Sequence, residues 1–178
     1  MHQETKRIVL TGCPSSGKTT LLNHIITLGY HCFEEVSREI IQDSMDRGLD
    51  ITPWQDLDAF SSLVWEKRMR QYGQASPGWN FYDRSLLDVV AYQDLDNQKI
   101  STEYEQTMRD CRYDVVFIAR PWPDIFINDE HRREDWQQAL SVDQALMSAY
   151  KSRGYTPIVL PEVSVKERAE FVLNHLSQ

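Results

Sequence analysis

One eight-residue segment near the start of the chain constrains its fold and function more than any other. Residues 12–19 read Gly-Cys-Pro-Ser-Ser-Gly-Lys-Thr, which is a complete G-x-x-x-x-G-K-[ST] phosphate-binding motif. Its glycines allow a tight turn whose N–H groups point at phosphate oxygens, Lys18 reaches the β- and γ-phosphates, and the Thr19 hydroxyl can ligate Mg²⁺. The residues predicted to bind the nucleotide here are Gly12, Pro14, Ser15, Ser16, Gly17, Lys18, Thr19 and Thr20.

The segments on either side of this motif agree with a nucleotide site. Residues 7–11 form a short β-branched and apolar run that is typical of a buried strand, and residues 20–26 carry apolar side chains at helical spacing. A helix that begins directly after the glycine-rich loop adds the positive end of its dipole to the site. The alternative interpretation is a glycine-rich turn with an incidental lysine.

Composition limits the class of protein and its partners. The chain has 178 residues and a net charge of −8, which predicts one domain, residues 1–178, and argues against nonspecific binding to nucleic acid or an anionic membrane. Three cysteines without paired spacing, Cys13, Cys32 and Cys111, indicate a reducing compartment and no cysteine-based metal site. No segment resembles a signal peptide or a membrane span, so we expect a cytoplasmic protein.

Strand-like runs alternate with helical patterns along the chain. The predicted strands are 7–11, 30–33, 79–82, 114–119 and 156–160. This alternation favours an α/β fold with a parallel sheet and right-handed crossovers. Thr52, followed by Pro53, is predicted to cap a helix, and the aromatic residues Trp54 and Trp65 are expected to pack in the core. Residues 120–140, a proline-rich loop followed by a dense patch of charge, are predicted to form a lid at the carboxyl edge of the sheet.

An acid and an arginine follow the third predicted strand. Asp83 would stand at the tip of that strand, next to the phosphate-binding loop, where it could hold Mg²⁺ directly or through water. Arg84 could grip a phosphate or orient the acid. The alternative is a structural ion pair beside Ser85, which together with Asp88 has the spacing of a helix cap.

Two further groups are candidates for the transfer chemistry. Glu35 follows the second strand and could accept the proton of an attacking hydroxyl, and Arg38, three residues later, is expected on the same helix face. The alternatives are a dipole-stabilising acid and a surface pair. Arg132 and Arg133 in the predicted lid could offset charge at the γ-phosphate, or else belong to a solvated helix face.

Several of these segments together resemble a known family. The phosphate-binding loop, residues 35–39, residues 82–88, and the Pro-Trp-Pro and Asn-Asp-Glu-His-Arg stretches at 121–123 and 128–132 are similar to the small AAA-type P-loop ATPase domain family. That family is related to the ribosylnicotinamide kinase domain of the bifunctional NAD-biosynthesis protein. A eukaryotic relative is the GTP-binding TRP-channel translocation-defect protein.

The resemblance implies more than the residues do alone. It implies a kinase-like P-loop fold, a five-stranded sheet of order 2-3-1-4-5 with helices on both faces. It also implies Lys18 and Thr19 on phosphate and Mg²⁺, Asp83 at the acid position, Glu35 and Arg38 facing the acceptor, and Arg132 in the lid.

Two functions follow from these observations. The first is transfer of the γ-phosphoryl group from Mg-ATP to a small, nucleoside-like hydroxyl acceptor. The second is a nucleotide-dependent switch with slow hydrolysis and a protein partner. ATP is the expected nucleotide and GTP is possible. The sequence does not decide between them, because the chain has no Asn-Lys-x-Asp guanine motif and recognition of adenine by backbone groups leaves no motif. The sequence leaves the acceptor and the oligomeric state open.

Overall fold

The computed structural model describes residues 4–126 and 135–177, which form a five-stranded parallel sheet of order β2-β3-β1-β4-β5. The strands are β1 (Thr5–Gly12), β2 (His31–Phe33), β3 (Gly78–Asp83), β4 (Val115–Ala119) and β5 (Ile158–Val159). The helices are α1 (Lys18–Thr27), α2 (Ser37–Asp46), α3 (Leu57–Gly73), α4 (Leu86–Leu95), α5 (Thr102–Asp110), α6 (Trp136–Ser152) and α7 (Val165–Leu176), with a 3₁₀ turn at Pro123–Ile125.

The central strand β1 sets the position of the nucleotide loop. It pairs with β3 from Thr5 to Leu10 and with β4 from Ile8 to Gly12, and Ile8, Val9 and Leu10 are fully buried. A strand covered on both faces reads as a continuous apolar run, which is why residues 7–11 were recognisable. Because all strands are parallel, the phosphate-binding loop, the Asp83 tip and the segments after β4 and β5 meet at one edge.

Helices cover both faces of the sheet. Alternate residues of β1 separate two cores: Ile8 and Leu10 pack with α1 and α7, whereas Val9 packs with α3, α4 and α6. The predicted fold class and strand order are therefore confirmed. Within the part of the chain that the structure covers, no helix is both long and apolar enough to cross a membrane.

One local prediction was wrong, and one predicted strand is shorter than expected. Thr52 does not cap a helix: residues 52–55 form a turn in which the Thr52 and Gln55 side chains bond each other at 2.7 Å. The helix begins at Leu57 instead, where the Asp56 carboxylate accepts from the backbone N–H of Ala59 at 2.9 Å. The predicted fifth strand is also shorter, since only Ile158–Val159 pair with β4.

Candidate nucleotide-binding and phosphoryl-transfer site

The phosphate-binding loop has the backbone conformation that its two glycines permit. Gly12 has a φ of 141°, and a Cβ there would lie 2.1 Å from the Ala119 carbonyl oxygen of the neighbouring strand. Gly17 has a φ of 82° and is the N-cap of α1. Helix α1 therefore begins at Lys18 with its unpaired N–H groups and positive dipole end at the loop.

Lys18 is buried and folded back onto its own loop. Its ammonium group donates to the Cys13 carbonyl oxygen at 2.6 Å and to the Ser16 hydroxyl at 3.2 Å. Burial, together with repulsion from the Arg84 guanidinium, lowers the pKa of Lys18 to about 8, against the attraction of Asp83. A phosphate group bound here would supply a negative charge that offsets the positive charge of the Lys18 ammonium group.

Thr19 and Asp83 lie together, as the motif and the strand tip predicted. The Thr19 hydroxyl donates to Asp83 Oδ2 at 3.3 Å. The second carboxylate oxygen of Asp83 is buried and has no hydrogen-bond partner among the described residues. Desolvation, reinforced by the nearby Glu35 charge, raises the pKa of Asp83. The structure thus brings together the Thr19 hydroxyl group and a carboxylate oxygen of Asp83 that has no hydrogen-bond partner among the described residues. Both are oxygen ligands of the kind that Mg²⁺ prefers.

Glu35 is held between two arginines. Its carboxylate pairs with Arg68 at 2.8 Å and with Arg84 at 2.5 Å, and it accepts from the backbone N–H of Ser37 at 3.0 Å. Although burial alone would raise the pKa of Glu35, Arg68 and Arg84 outweigh it and lower the pKa to about 2. Glu35 is therefore ionised at any physiological pH, and its orientation is fixed.

Arg84 occupies a conformation that a non-glycine residue rarely adopts. Its φ is 72°, and its backbone N–H donates to the Leu10 carbonyl of β1 at 3.0 Å. Its side chain lies 3.5 Å from Asp88 as well as pairing with Glu35. Asp88 also completes the predicted cap of α4 and accepts from Thr11 at 2.6 Å. Several contacts thus hold the turn that places Arg84 at the cavity. A backbone conformation of this rare kind persists only where the surrounding structure stabilises it in this way.

These groups line one cavity of about 870 Å³. One part is formed by the phosphate-binding loop and by Trp122, Ile125 and the segment 163–165. The other is a largely apolar recess between α2, α3 and α4; its apolar lining comprises Ile41, Trp54, Leu57, Phe60, Val64, Val89, Tyr92 and Leu95. Asp83, Glu35 and Arg84 also line the cavity, and Asp83 lies beside the loop residue Thr19. A single open space therefore joins the phosphate-binding loop to a largely apolar recess.

Most predicted site residues share this cavity. Every loop residue from Pro14 to Thr20 lines it, as do Glu35, Arg38, Asp83 and Arg84. Gly12 does not line the cavity; it lies at the start of the loop, close to the backbone of Ala119. The expectation that Glu35 and Arg38 share a helix face was wrong, because α2 begins at Ser37 and Glu35 precedes it. Arg132 and Arg133 lie outside the described residues, so their roles stay predictions.

Three residues that line the cavity were not expected there. Trp65 packs in the core as expected, but Trp54 is 41% exposed and lines the cavity. Arg68 on α3 and Arg168 on α7 were not predicted, although both are almost fully buried and line the cavity. Neither arginine belongs to a local motif. The available signal in the sequence was an arginine at a position where the helical pattern is otherwise apolar. Because arginine is seldom buried without a partner, such a position indicates a buried polar contact.

The comparisons with known proteins agree with this geometry. A family model described as an AAA domain matches residues 7–168. No curated protein sequence matches the chain.

Solved structures with the same fold include nucleoside and nucleotide kinases. A deoxyadenosine kinase from M. mycoides with bound dATP superposes with a TM-score of 0.66 at 18% identity, covering 97% of this chain and 100% of that one. The NadR protein in complex with NR gives 0.69 at 17% identity, covering 97% of this chain and 50% of NadR. Thymidylate kinase from Ehrlichia chaffeensis gives 0.67 at 14% identity, covering 97% and 99%. At these identities the likeness shows the fold.

Proposed function

This chain belongs to the AAA domain family, and we propose that it is a kinase that transfers the γ-phosphoryl group of ATP to a hydroxyl of a small acceptor, a nucleoside-like molecule. The observation that carries the proposal is the cavity itself. It joins a complete phosphate-binding loop to a largely apolar recess, and Glu35 and Asp83 line that same cavity. A protein that only hydrolyses nucleotide has no need of the recess.

The residues present fit Mg²⁺. Thr19 and Asp83 would hold the ion, since the Asp83 oxygen without a partner offers a ligand that the protein itself leaves unused. Among the described residues, no three His, Cys, Asp or Glu side chains form a metal site by themselves. That is consistent with Mg²⁺, which is usually held by one or two side chains together with substrate phosphates. When bound, the ion would neutralise charge on the phosphates.

The acceptor would lie in the recess. Phe60, Trp54 and Tyr92 offer flat apolar surfaces that suit a ring, as in a base or nicotinamide-like group. The acceptor hydroxyl would then be oriented by Glu35 or Asp83. Glu35 retains a lone pair for it, because Oε1 already accepts from Arg68 and Ser37, whereas Oε2 pairs with Arg84 and can accept a second bond. Arg38 at the rim would contact the acceptor's polar groups.

The protein's cations would act on the phosphates. The buried Lys18 ammonium would turn from the Cys13 carbonyl to the β- and γ-phosphate oxygens, and Arg84 would offset charge on the transferred group. Arg132 and Arg133 would add charge from the lid. Phosphoryl transfer needs positioning and charge stabilisation more than a strong base, so the low pKa of Glu35 is no obstacle to an orienting role.

Product formation in the presence of defined acceptors tests this proposal. ADP release from Mg-ATP, and from Mg-GTP in parallel, is measured with a panel of nucleosides including ribosylnicotinamide. Strong stimulation by one compound, absent in Lys18→Ala, is the expected result. Slow release that no compound stimulates would instead favour the nucleotide-dependent switch, and no nucleotide binding at all would refute both.

A further inference from the structure

Arg168 forms a bridge between two chain segments that are distant in sequence. Its terminal nitrogen donates to the Ser16 carbonyl oxygen at 2.9 Å, and its Nε donates to the Pro161 carbonyl oxygen at 2.8 Å. Ser16 lies in the phosphate-binding loop, and Pro161 lies in the segment that follows β5. One rigid guanidinium thus fixes the spacing between these two segments.

Arg168 also supports an aromatic ring in the cavity. Its guanidinium carbon lies 5.0 Å from the centre of the Trp122 ring, a cation–π arrangement. Trp122, Val163 and Arg168 all line the cavity on the side of the phosphate-binding loop. The side chains of Ile125 and Arg168 also pack closely against the backbone at Gly17. A Cβ atom placed at Gly17 would lie 3.2 Å from Ile125 and 3.1 Å from Arg168.

Arg168 bonds neutral groups, and the nearby carboxylate of Glu162 acts on it electrostatically. Its side chain is buried, with 3% exposure. Within residues 4–126 and 135–177, no carboxylate forms an ion pair with it. Its bonding partners are neutral carbonyl groups and a ring. The described contacts of Arg168 therefore fix the distance between the phosphate-binding loop and the segment after β5, and none of them requires a bound phosphate.

From these contacts we infer that Arg168 is a positioning residue of the nucleotide site, which couples the place of the phosphates to the place of the nucleobase. It fixes the phosphate-binding loop through Ser16, and it fixes the neighbouring cavity wall through Pro161 and Trp122. We assign the base to this wall because the proposed acceptor occupies the apolar recess. The inference rests on the proposed binding of ATP. Its consequence is that a nucleoside triphosphate gains more from Arg168 than a bare polyphosphate does, because only the nucleotide spans both parts.

Binding of Mg-ATP and of Mg-tripolyphosphate by wild type and Arg168→Ala, measured calorimetrically, tests the inference. We expect the variant to bind Mg-ATP at least about tenfold more weakly, since it loses bonds made by a charged group. Its affinity for tripolyphosphate should fall by no more than about threefold. In turnover assays the KM for ATP should rise while the KM for the acceptor stays within about twofold.

Two further variants separate this role from a general loss of structure. Arg168→Lys keeps the charge but lacks the planar fork that bonds the two carbonyl groups from separate nitrogens, so it should show the same selective loss of ATP affinity, even if the alanine variant fails to fold. Arg153→Ala is the control: Arg153 also bonds a carbonyl, of Ala149 at 3.2 Å, and pairs with Glu105, but it lines no part of the cavity. Its ATP affinity should match wild type.

The possible failures are distinguishable. If wild-type protein does not bind Mg-ATP, the proposed function fails and the inference with it. If wild type binds but the Arg168 variants bind ATP equally well, or lose ATP and tripolyphosphate affinity to the same extent, the coupling role alone is wrong.

Discussion

At the scale of single residues, the two acids of the site have opposite electrostatic environments. Glu35 is surrounded by Arg68 and Arg84, so its ionised form is stabilised and its pKa is low. Asp83 is desolvated and faces the charge of Glu35, so its ionised form is destabilised and its pKa is raised. Pairs of acids whose pKa values are pushed apart commonly serve different roles in an active site.

The two acids should therefore respond oppositely to neutral substitution. Glu35→Gln removes the carboxylate that pairs with buried Arg68 and leaves Arg84 only its longer ion pair with Asp88 among the described residues, so it should lower the free energy of unfolding at pH 7 by about 3 kcal/mol. Asp83→Asn removes an unfavourable charge and should leave that free energy unchanged or higher, while kcat falls about 100-fold or more through loss of the proposed Mg²⁺ ligand. Urea denaturation without nucleotide or Mg²⁺, with turnover measured separately, checks both. Destabilisation by Asp83→Asn similar to that by Glu35→Gln would contradict this account.

The pH dependence of stability follows from the same environment of Glu35. Because its pKa is about 2 in the folded protein and 4.5 as an isolated side chain, its stabilising contribution is complete above the higher value and is lost as pH falls toward the lower one. Denaturation midpoints of wild type should therefore drop between these pH values more steeply than those of Glu35→Gln. Parallel pH profiles for the two proteins would show that Glu35 does not carry this effect.

Lys18 should link nucleotide binding to proton uptake. Its pKa of about 8 in the free protein should rise when phosphate charge surrounds it, so binding favours the protonated form. Mg-ATP affinity should be greatest below pH 8 and fall as pH rises above it. Calorimetry at pH 8.5 in two buffers of different ionisation enthalpy should reveal net proton uptake. Lys151→Gln, in the last turn of α6, should retain that uptake, whereas affinity independent of pH from 7 to 9.5 would refute the link.

At the scale of elements, the sequence predicted what is encoded by neighbouring residues. Buried strands read as apolar runs, and the cap at Ser85 followed from local spacing. The prediction at Thr52 failed because its side chain bonds Gln55 in a turn, which leaves Asp56 to begin α3. Arg68 and Arg168 could not be found this way, since their partners Glu35 and Ser16 are brought to them by tertiary packing alone.

The two positive-φ glycines that end β1 and α1 should differ sharply in their tolerance of a side chain. A Cβ at Gly12 meets the Ala119 carbonyl oxygen, whereas one at Gly29 meets nothing within 4 Å. Gly29→Ala should cost only the left-handed backbone penalty, about 1–2 kcal/mol. Gly12→Ala should cost about 3 kcal/mol or more, because it separates β1 from β4. Denaturant unfolding measures both, and equal costs would show that the close strand approach is unimportant.

At the scale of the whole molecule, an acidic protein contains a locally positive cavity. The net charge of −8 coexists with Lys18, Arg68, Arg84 and Arg168 around one site, so overall charge disfavours nucleic acid while the cavity suits a single polyphosphate. The contiguous motifs made the phosphate half of this site predictable. The recess was not, because its walls come from scattered residues of three helices that share no motif.

The fate of the γ-phosphoryl group tests the central claim most directly. Wild-type protein is given ATP labelled with ¹⁸O in that group and the acceptor that best stimulates ADP release, and products are analysed by mass spectrometry. We predict that the label appears in the phosphorylated acceptor in a one-to-one ratio with ADP, and that Lys18→Ala yields neither. Label found only in inorganic phosphate, with every acceptor, would contradict a kinase and identify a hydrolysing switch.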